Sequence, residues 1–118
     1  MPRTSGGSFS FLIPGASVVG TNQAGCIAAS DFRLHHVELW GSTAPTGSTL
    51  IIDLNINGLT AYSTQANRPT IAIGSKVGTR IVPDITAVAA GDLITVDIDQ
   101  IGSTVAGGNP LVISAVLV

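Results

Sequence analysis

Apolar and polar residues alternate with period two in two segments of this chain. Ile52, Leu54 and Ile56 are interleaved with Asp53, Asn55 and Asn57, and Ile94, Val96 and Ile98 with Thr95, Asp97 and Asp99. Successive side chains of a strand point to opposite faces, so each segment predicts an antiparallel strand with one face on a core and the other toward water. The six apolar residues are the expected inward set. Asn57-Gly58 follows the first segment and predicts a hairpin into residues 59–64. Gly102-Ser103 closes the second. Between residues 31 and 40 the phase slips, because Phe32 and Leu34 share one face while Val37 and Leu39 share the other. One extra residue near His35-His36, a β-bulge, restores it.

Shorter apolar runs predict strands at residues 9–13, 18–19, 70–73, 80–82 and 111–118. Pro, Gly and Asn clusters separate them at about the 8–12-residue spacing of sandwiches and barrels. No useful window places apolar residues at helical spacing, and residues 84–90 allow one helical turn at most. The expectation is an all-β fold, an antiparallel β-sandwich of about eight short strands. Residues 1–8 combine Pro, Gly and Ser without periodicity and are expected to form a flexible N-terminal arm on a single domain spanning 9–118. Arg3, Thr4 and Phe9, in and beside this arm, are the candidate partner-binding residues.

Composition narrows the function classes. A chain of 118 residues has room for one domain. With 45% hydrophobic residues and a formal net charge of −2, it does not match the low hydrophobicity and high charge of disorder. Five basic residues against seven acidic ones leave no basic stripe for phosphates, so no nucleic-acid partner is expected. The stretch from Phe9 to Pro14 is too short for a signal peptide or a membrane span, which predicts no membrane partner. Cys26 is the only cysteine, so stability must come from the core or from oligomer contacts, as suits folding inside a cell. Charged residues make up 10% of the chain, a low share for a free monomer and a pointer to assembly.

The candidate chemistry is thin. Asp53-x-Asn55-x-Asn57-Gly58 matches the first half of a calcium loop, but Thr64 stands where a bidentate Glu is needed, and Leu54 and Ile56 complete a strand pattern instead. Asp97 and Asp99 share a strand face but have too few other oxygens near them in sequence for a hard cation. His35 and His36 point apart on a regular strand, so both could reach one metal only through the bulge; a cross-strand contact and an interface contact are the plainer readings. Gly15-Ala16-Ser17-Val18-Val19 lacks the final Gly of a nucleophile elbow. Gly74-Ser75-Lys76 and the glycines from 102 to 108 lack phosphate-loop spacing. Glu38 is the only Glu, and one Trp, one Tyr and three Phe are few for a sugar cleft. Trp40, ending the run from Leu34 to Leu39, reads as an edge of the core before a stacking platform. No enzyme activity, metal or cofactor is expected.

Several of these segments, taken in order, resemble a known module. They are Ala44-Pro45-Thr46-Gly47-Ser48-Thr49 leading through residues 50–56 to Asn57-Gly58, then Asn67-Arg68-Pro69-Thr70-Ile71, Val82-Pro83-Asp84, and Ala90-Gly91-Asp92-Leu93 running on to Thr104. The set resembles a small jelly-roll module of tailed-bacteriophage virion proteins, over roughly residues 40–118. The resemblance implies a jelly-roll sandwich, commonly trimeric, made in the host cytoplasm and located in the virion, with no catalytic residues to transfer. Its implied role is a capsid decoration (cement) protein whose partners are its own copies and the major capsid protein. The alternative is a tail-fibre or head-fibre module that binds a receptor or glycan. Fibre modules usually belong to long chains with shaft repeats, whereas this one starts with Met1 and ends on a strand, which favours the decoration reading by analogy.

Overall fold

The structure is a computed structural model and describes residues 7–118. Nine strands follow in order: β1 Ser8–Ile13, β2 Gly20–Ile27, β3 Phe32–Thr43, β4 Leu50–Ile56, β5 Leu59–Thr60, β6 Thr70–Ile71, β7 Ala87–Val88, β8 Leu93–Gln100 and β9 Gly108–Leu117. One sheet has the order β1-β9-β3-β7; the other has β2-β8-β4-β5, with β6 also paired to β4. All pairings are antiparallel. β5 and β6 lie along the same edge of β4, at Asn55↔Thr60 and Leu50↔Ile71, and act as one edge strand interrupted by residues 61–69. Counted so, eight strands form two four-stranded layers in jelly-roll order, the chain crossing between layers at every connection except that from β4 to β5.

The alternating segments became β4 and β8, neighbours in one sheet, and all six inward residues are buried. They face Val37, Leu39, Leu111, Ile113 and Ala115 of the other sheet across one continuous core. Burying one such aliphatic side chain contributes roughly 1.5–3 kcal/mol, so this layer dominates the stability. Asn57 and Gly58 both adopt positive φ, 53° and 82°, as a two-residue hairpin turn requires. The strand beyond it is short, with only Leu59 and Thr60 paired, because the chain then leaves the sheet to pass over its outer face. The bulge is present: pairing of β3 with β9 shifts register between Leu34 and His36.

Four expectations need correction. Val18 and Val19 are exposed in a connection, and the strand follows them at Gly20–Ile27. Its sequence signal is weak because it lies at a sheet edge, is polar through Thr21, Asn22 and Gln23, and shifts register between Gly20 and Ala24. Residues 80–82 are not a strand, and residues 84–90 hold β7 where a helical turn was allowed. Gly7 and Ser8, placed in the arm by the sequence, are tied to the edge of β9. Ser8 pairs with Val116, and the Leu117 amide donates to the Gly7 carbonyl at 3.0 Å. Arg3 and Thr4 lie outside the described residues.

Candidate functional site

The bulge at His35-His36 decides what the long strand β3 presents outward. Past it, Val37 and Leu39 face the core while Glu38 and Trp40 face away. Register then extends two rows across the sheet. Trp40 pairs with Val112, which pairs with Leu12, and on its other side Trp40 bridges to Val77. This apolar row is open to solvent: Leu12 and Val77 are each 63% exposed and Trp40 is 45% exposed. The neighbouring row is polar, with Glu38 opposite Ser114 and Ser114 opposite Ser10, their hydroxyls 2.9 Å apart.

A loop walls in one side of these rows. The Gly78 amide donates to the Leu39 carbonyl at 3.0 Å, and the Gly41 amide donates to the Lys76 carbonyl at 2.8 Å. Gly78 allows this approach, since a Cβ there would lie 2.8 Å from Leu39 Cβ and 2.9 Å from the Thr70 carbonyl. The result is a groove of about 260 Å³ with Val112 and Ser114 on its floor and Trp40, Val77, Glu38 and Arg80 around it.

Its polar end is a connected cluster. Glu38 Oε2 accepts from His36 Nε2 at 3.0 Å and lies 2.7 Å from Arg80 Nη2. Arg80 Nη2 is also 3.1 Å from His36 Nε2, but two donors cannot bond each other, so the carboxylate is their common acceptor. With its proton on Nε2, His36 accepts from His35 through Nδ1 at 2.7 Å. The His36 hydrogen bond, helped by Arg80, holds the Glu38 carboxyl below its ordinary pKa despite some desolvation. All contacts to Glu38 go to Oε2, and Arg80 engages through Nη2 alone. Glu38 Oε1 and the Nε and Nη1 donors of Arg80 are therefore open among the described residues. A second hollow of about 280 Å³, lined by His35, His36, Arg80 and Val82, continues from the same arginine.

The outer face of the other sheet carries more carboxylates, each engaged within the fold. Asp53 is buried beneath residues 60–65 and accepts from Thr60 Oγ1 at 2.6 Å and Gln65 Nε2 at 3.4 Å. Burial raises its pKa, against the pull of those hydrogen bonds. Asp97 accepts from the Asn22 amide and from Asn55 Nδ2, both at 2.9 Å, and Asp99 from Arg68 Nη1 at 2.8 Å. Asn57 serves Asp92 and the Leu93 amide. The half calcium loop is thus spread along a strand, its three side chains committed to different partners. Among the described residues no three His, Cys, Asp or Glu are grouped to hold a metal.

The remaining candidates fall elsewhere. Phe9 points inward, half-buried, with its ring 5.6 Å from those of Phe11 and Phe32 in edge-on packing. Cys26 is partly buried against the core, and burial raises its thiol pKa. Ser17 is buried, with an Oγ that has no partner among the described residues. His35 and His36 come together because of the bulge, their rings 4.9 Å apart. Trp40, read from sequence as a core edge, stands on the outer face, since the bulge reverses the phase of every later residue of the strand. Arg80 was missed because its run looked like strand and its partner lies 42 positions earlier. The signal available in the sequence was the phase slip itself, which puts Glu38 and Trp40 on one face.

No family model matches this chain, and comparison with curated proteins gives no match.

Proposed function

We propose that the protein is a virion structural protein, a capsid decoration protein that binds the outside of an assembled phage head as a homotrimer and stabilises it by bridging neighbouring subunits. The observation that carries this reading is the surface. Thirteen large apolar side chains among the described residues remain exposed on a chain that is only 10% charged. Some are adjacent: Ile27 and Leu93 pair directly across β2 and β8, and the row from Leu12 to Val77 crosses a sheet. A surface of this kind is stabilised when another surface covers it, at about 25 cal/mol per Å² of apolar area removed from water. The resemblance to phage jelly-roll modules supplies the partner class, by analogy of fold. A trimer on a repeating shell also gains avidity, so weak individual contacts suffice.

The test mixes purified protein with particles that lack it, then measures bound copies and the temperature at which the genome is released. Expected are hundreds of copies per head and a higher release temperature. Light scattering on the free protein is expected to give three times the chain mass. The matching control is a chain that begins at Gly7, which keeps the whole of β1. Failure to bind heads, or a monomer mass independent of concentration, overturns the reading. The second reading, a fibre module that binds a receptor or glycan, is favoured by one observation, the half-open Trp40 beside an incompletely used carboxylate.

A further inference from the structure

We infer that the groove beside Trp40 is a saccharide site that takes one hexopyranose, with Trp40 as its platform and Glu38 and Arg80 as its hydrogen-bonding end. This names the ligand and residues of the second reading above and does not depend on capsid binding. A pyranose ring has a C–H face that packs on an aromatic side chain and a rim of hydroxyls that each donate and accept. The groove offers both in one place. Trp40 and Val77 provide an apolar side, 45% and 63% exposed, while Val112 lies between Trp40 and Leu12 on the floor. Its volume of about 260 Å³ suits one sugar ring and is small for a peptide segment.

The polar end is matched to a pair of neighbouring hydroxyls. Glu38 Oε1 is an acceptor and the outer edge of Arg80 a donor, and both are open among the described residues. The contact of 2.7 Å between Glu38 and Arg80 holds the two groups side by side, and His36 fixes the carboxylate from behind at 3.0 Å. An acceptor and a donor held this way can bond one hydroxyl each without first being ordered, which lowers the entropic cost of binding. Of the carboxylates on the opposite sheet face, Asp53 and Asp97 have both oxygens bonded within the fold, and the Asp99–Arg68 pair lies on the other sheet from Trp40. The ion pair is half-exposed, so the site is expected to be weak for a single sugar, about millimolar, and to depend on avidity for useful affinity.

Trp40 is the only tryptophan, so its fluorescence reports on this groove alone. The full chain is titrated with the methyl glycosides of glucose, galactose, mannose and N-acetylglucosamine, with emission and backbone amide shifts recorded together. The expected result is a saturable change in emission for at least one glycoside, with amide shifts concentrated at Gly78, Val112 and Ser114. Trp40→Ala and Glu38→Gln are each expected to weaken binding about tenfold or more, the amide shifts serving as readout where the tryptophan is gone. Asp97→Asn, on the opposite face, is expected to bind as the parent does. Trp40→Phe keeps a smaller platform and is expected to retain part of the affinity, which separates loss of stacking from loss of folding. No saturable change with any of the four glycosides, shifts centred elsewhere, or unchanged affinity in both groove variants overturns the inference. Capsid binding is read in the separate particle assay, so the two proposals fail independently.

Discussion

The two outer faces of the sandwich treat their polar groups in opposite ways. On the five-stranded sheet, the chain between β5 and β6 folds over Asp53, and the acids are matched one by one with Thr60, Gln65, Asn55, Asn22 and Arg68. On the four-stranded sheet, a loop pinned by Gly78 stands beside the strands and leaves a groove, a half-exposed Trp40 and open donors and acceptors. Buried polar groups must be paired because desolvation is costly, whereas groups at an open groove can remain free for a ligand. The covered face therefore stabilises the fold, while the open face keeps polar groups available to a ligand.

The largest expected effect concerns the layer between the two faces. Val96 is fully buried in β8, whereas Val112 in β9 lies on the groove floor. Val96→Asp places an unpaired charge in the core and is expected to destabilise by several kcal/mol, on the order of 3–5, while Val112→Asp is expected to cost about 1 kcal/mol or less. Chemical denaturation checks both. Equal losses would break the assignment of inner and outer sides.

A smaller effect separates the aromatic residues. Tyr62, in the covering segment, is fully buried and its hydroxyl donates to the Ile81 carbonyl at 3.2 Å. Tyr62→Ala is expected to cost about 3–5 kcal/mol, by the usual cost of emptying a large aromatic site. Trp40→Ala is expected to cost about 1 kcal/mol or less, because much of that ring is already in water. Thermal melting of the two variants side by side would sharpen the contrast, and a large loss at Trp40 would make it structural.

The smallest effects are in pH dependence, and they carry opposite signs. Burial raises the Asp53 pKa, so the folded chain takes up that proton at a higher pH than the unfolded chain does. Stability from this group therefore rises as pH falls from the raised value to the ordinary carboxylate range. The Glu38 pKa is lowered, chiefly by the His36 hydrogen bond. Its contribution is present above the ordinary carboxylate range and is lost as pH falls through the depressed value. Asp53→Asn is expected to remove the first trend and to be at least as stable as the parent at neutral pH. Glu38→Gln is expected to reduce acid sensitivity at the low end, by about 0.5 kcal/mol or less for so exposed a pair, and less in high salt. Stability measured against pH for both variants decides the signs.

Part of this molecule was readable in advance because period-two alternation is a local pattern with one physical cause. Residues 52–56 and 94–98 needed only the alternation of strand side chains to reveal an inward face, and Asn57-Gly58 needed only its tolerance of positive φ to mark a hairpin. Edge strands carry less of this signal. β2 is polar, bulged and paired on one side, and β7 has two residues, so neither left a clear pattern. Arg80 was misplaced for a related reason, since Arg80-Ile81-Val82 looks like strand but is a loop from which Arg80 lines the groove.

By itself the sequence determined the β class, the inward residues of the two central strands and the slip at His35-His36, because these follow from local sterics and from burial of apolar surface. Only the tertiary structure decided which strands become neighbours, that residues 60–65 cover Asp53, and that Arg80 meets Glu38 beside Trp40. Those contacts join positions far apart in the chain, and no local pattern encodes a partner whose distance is set by the path of the whole jelly roll.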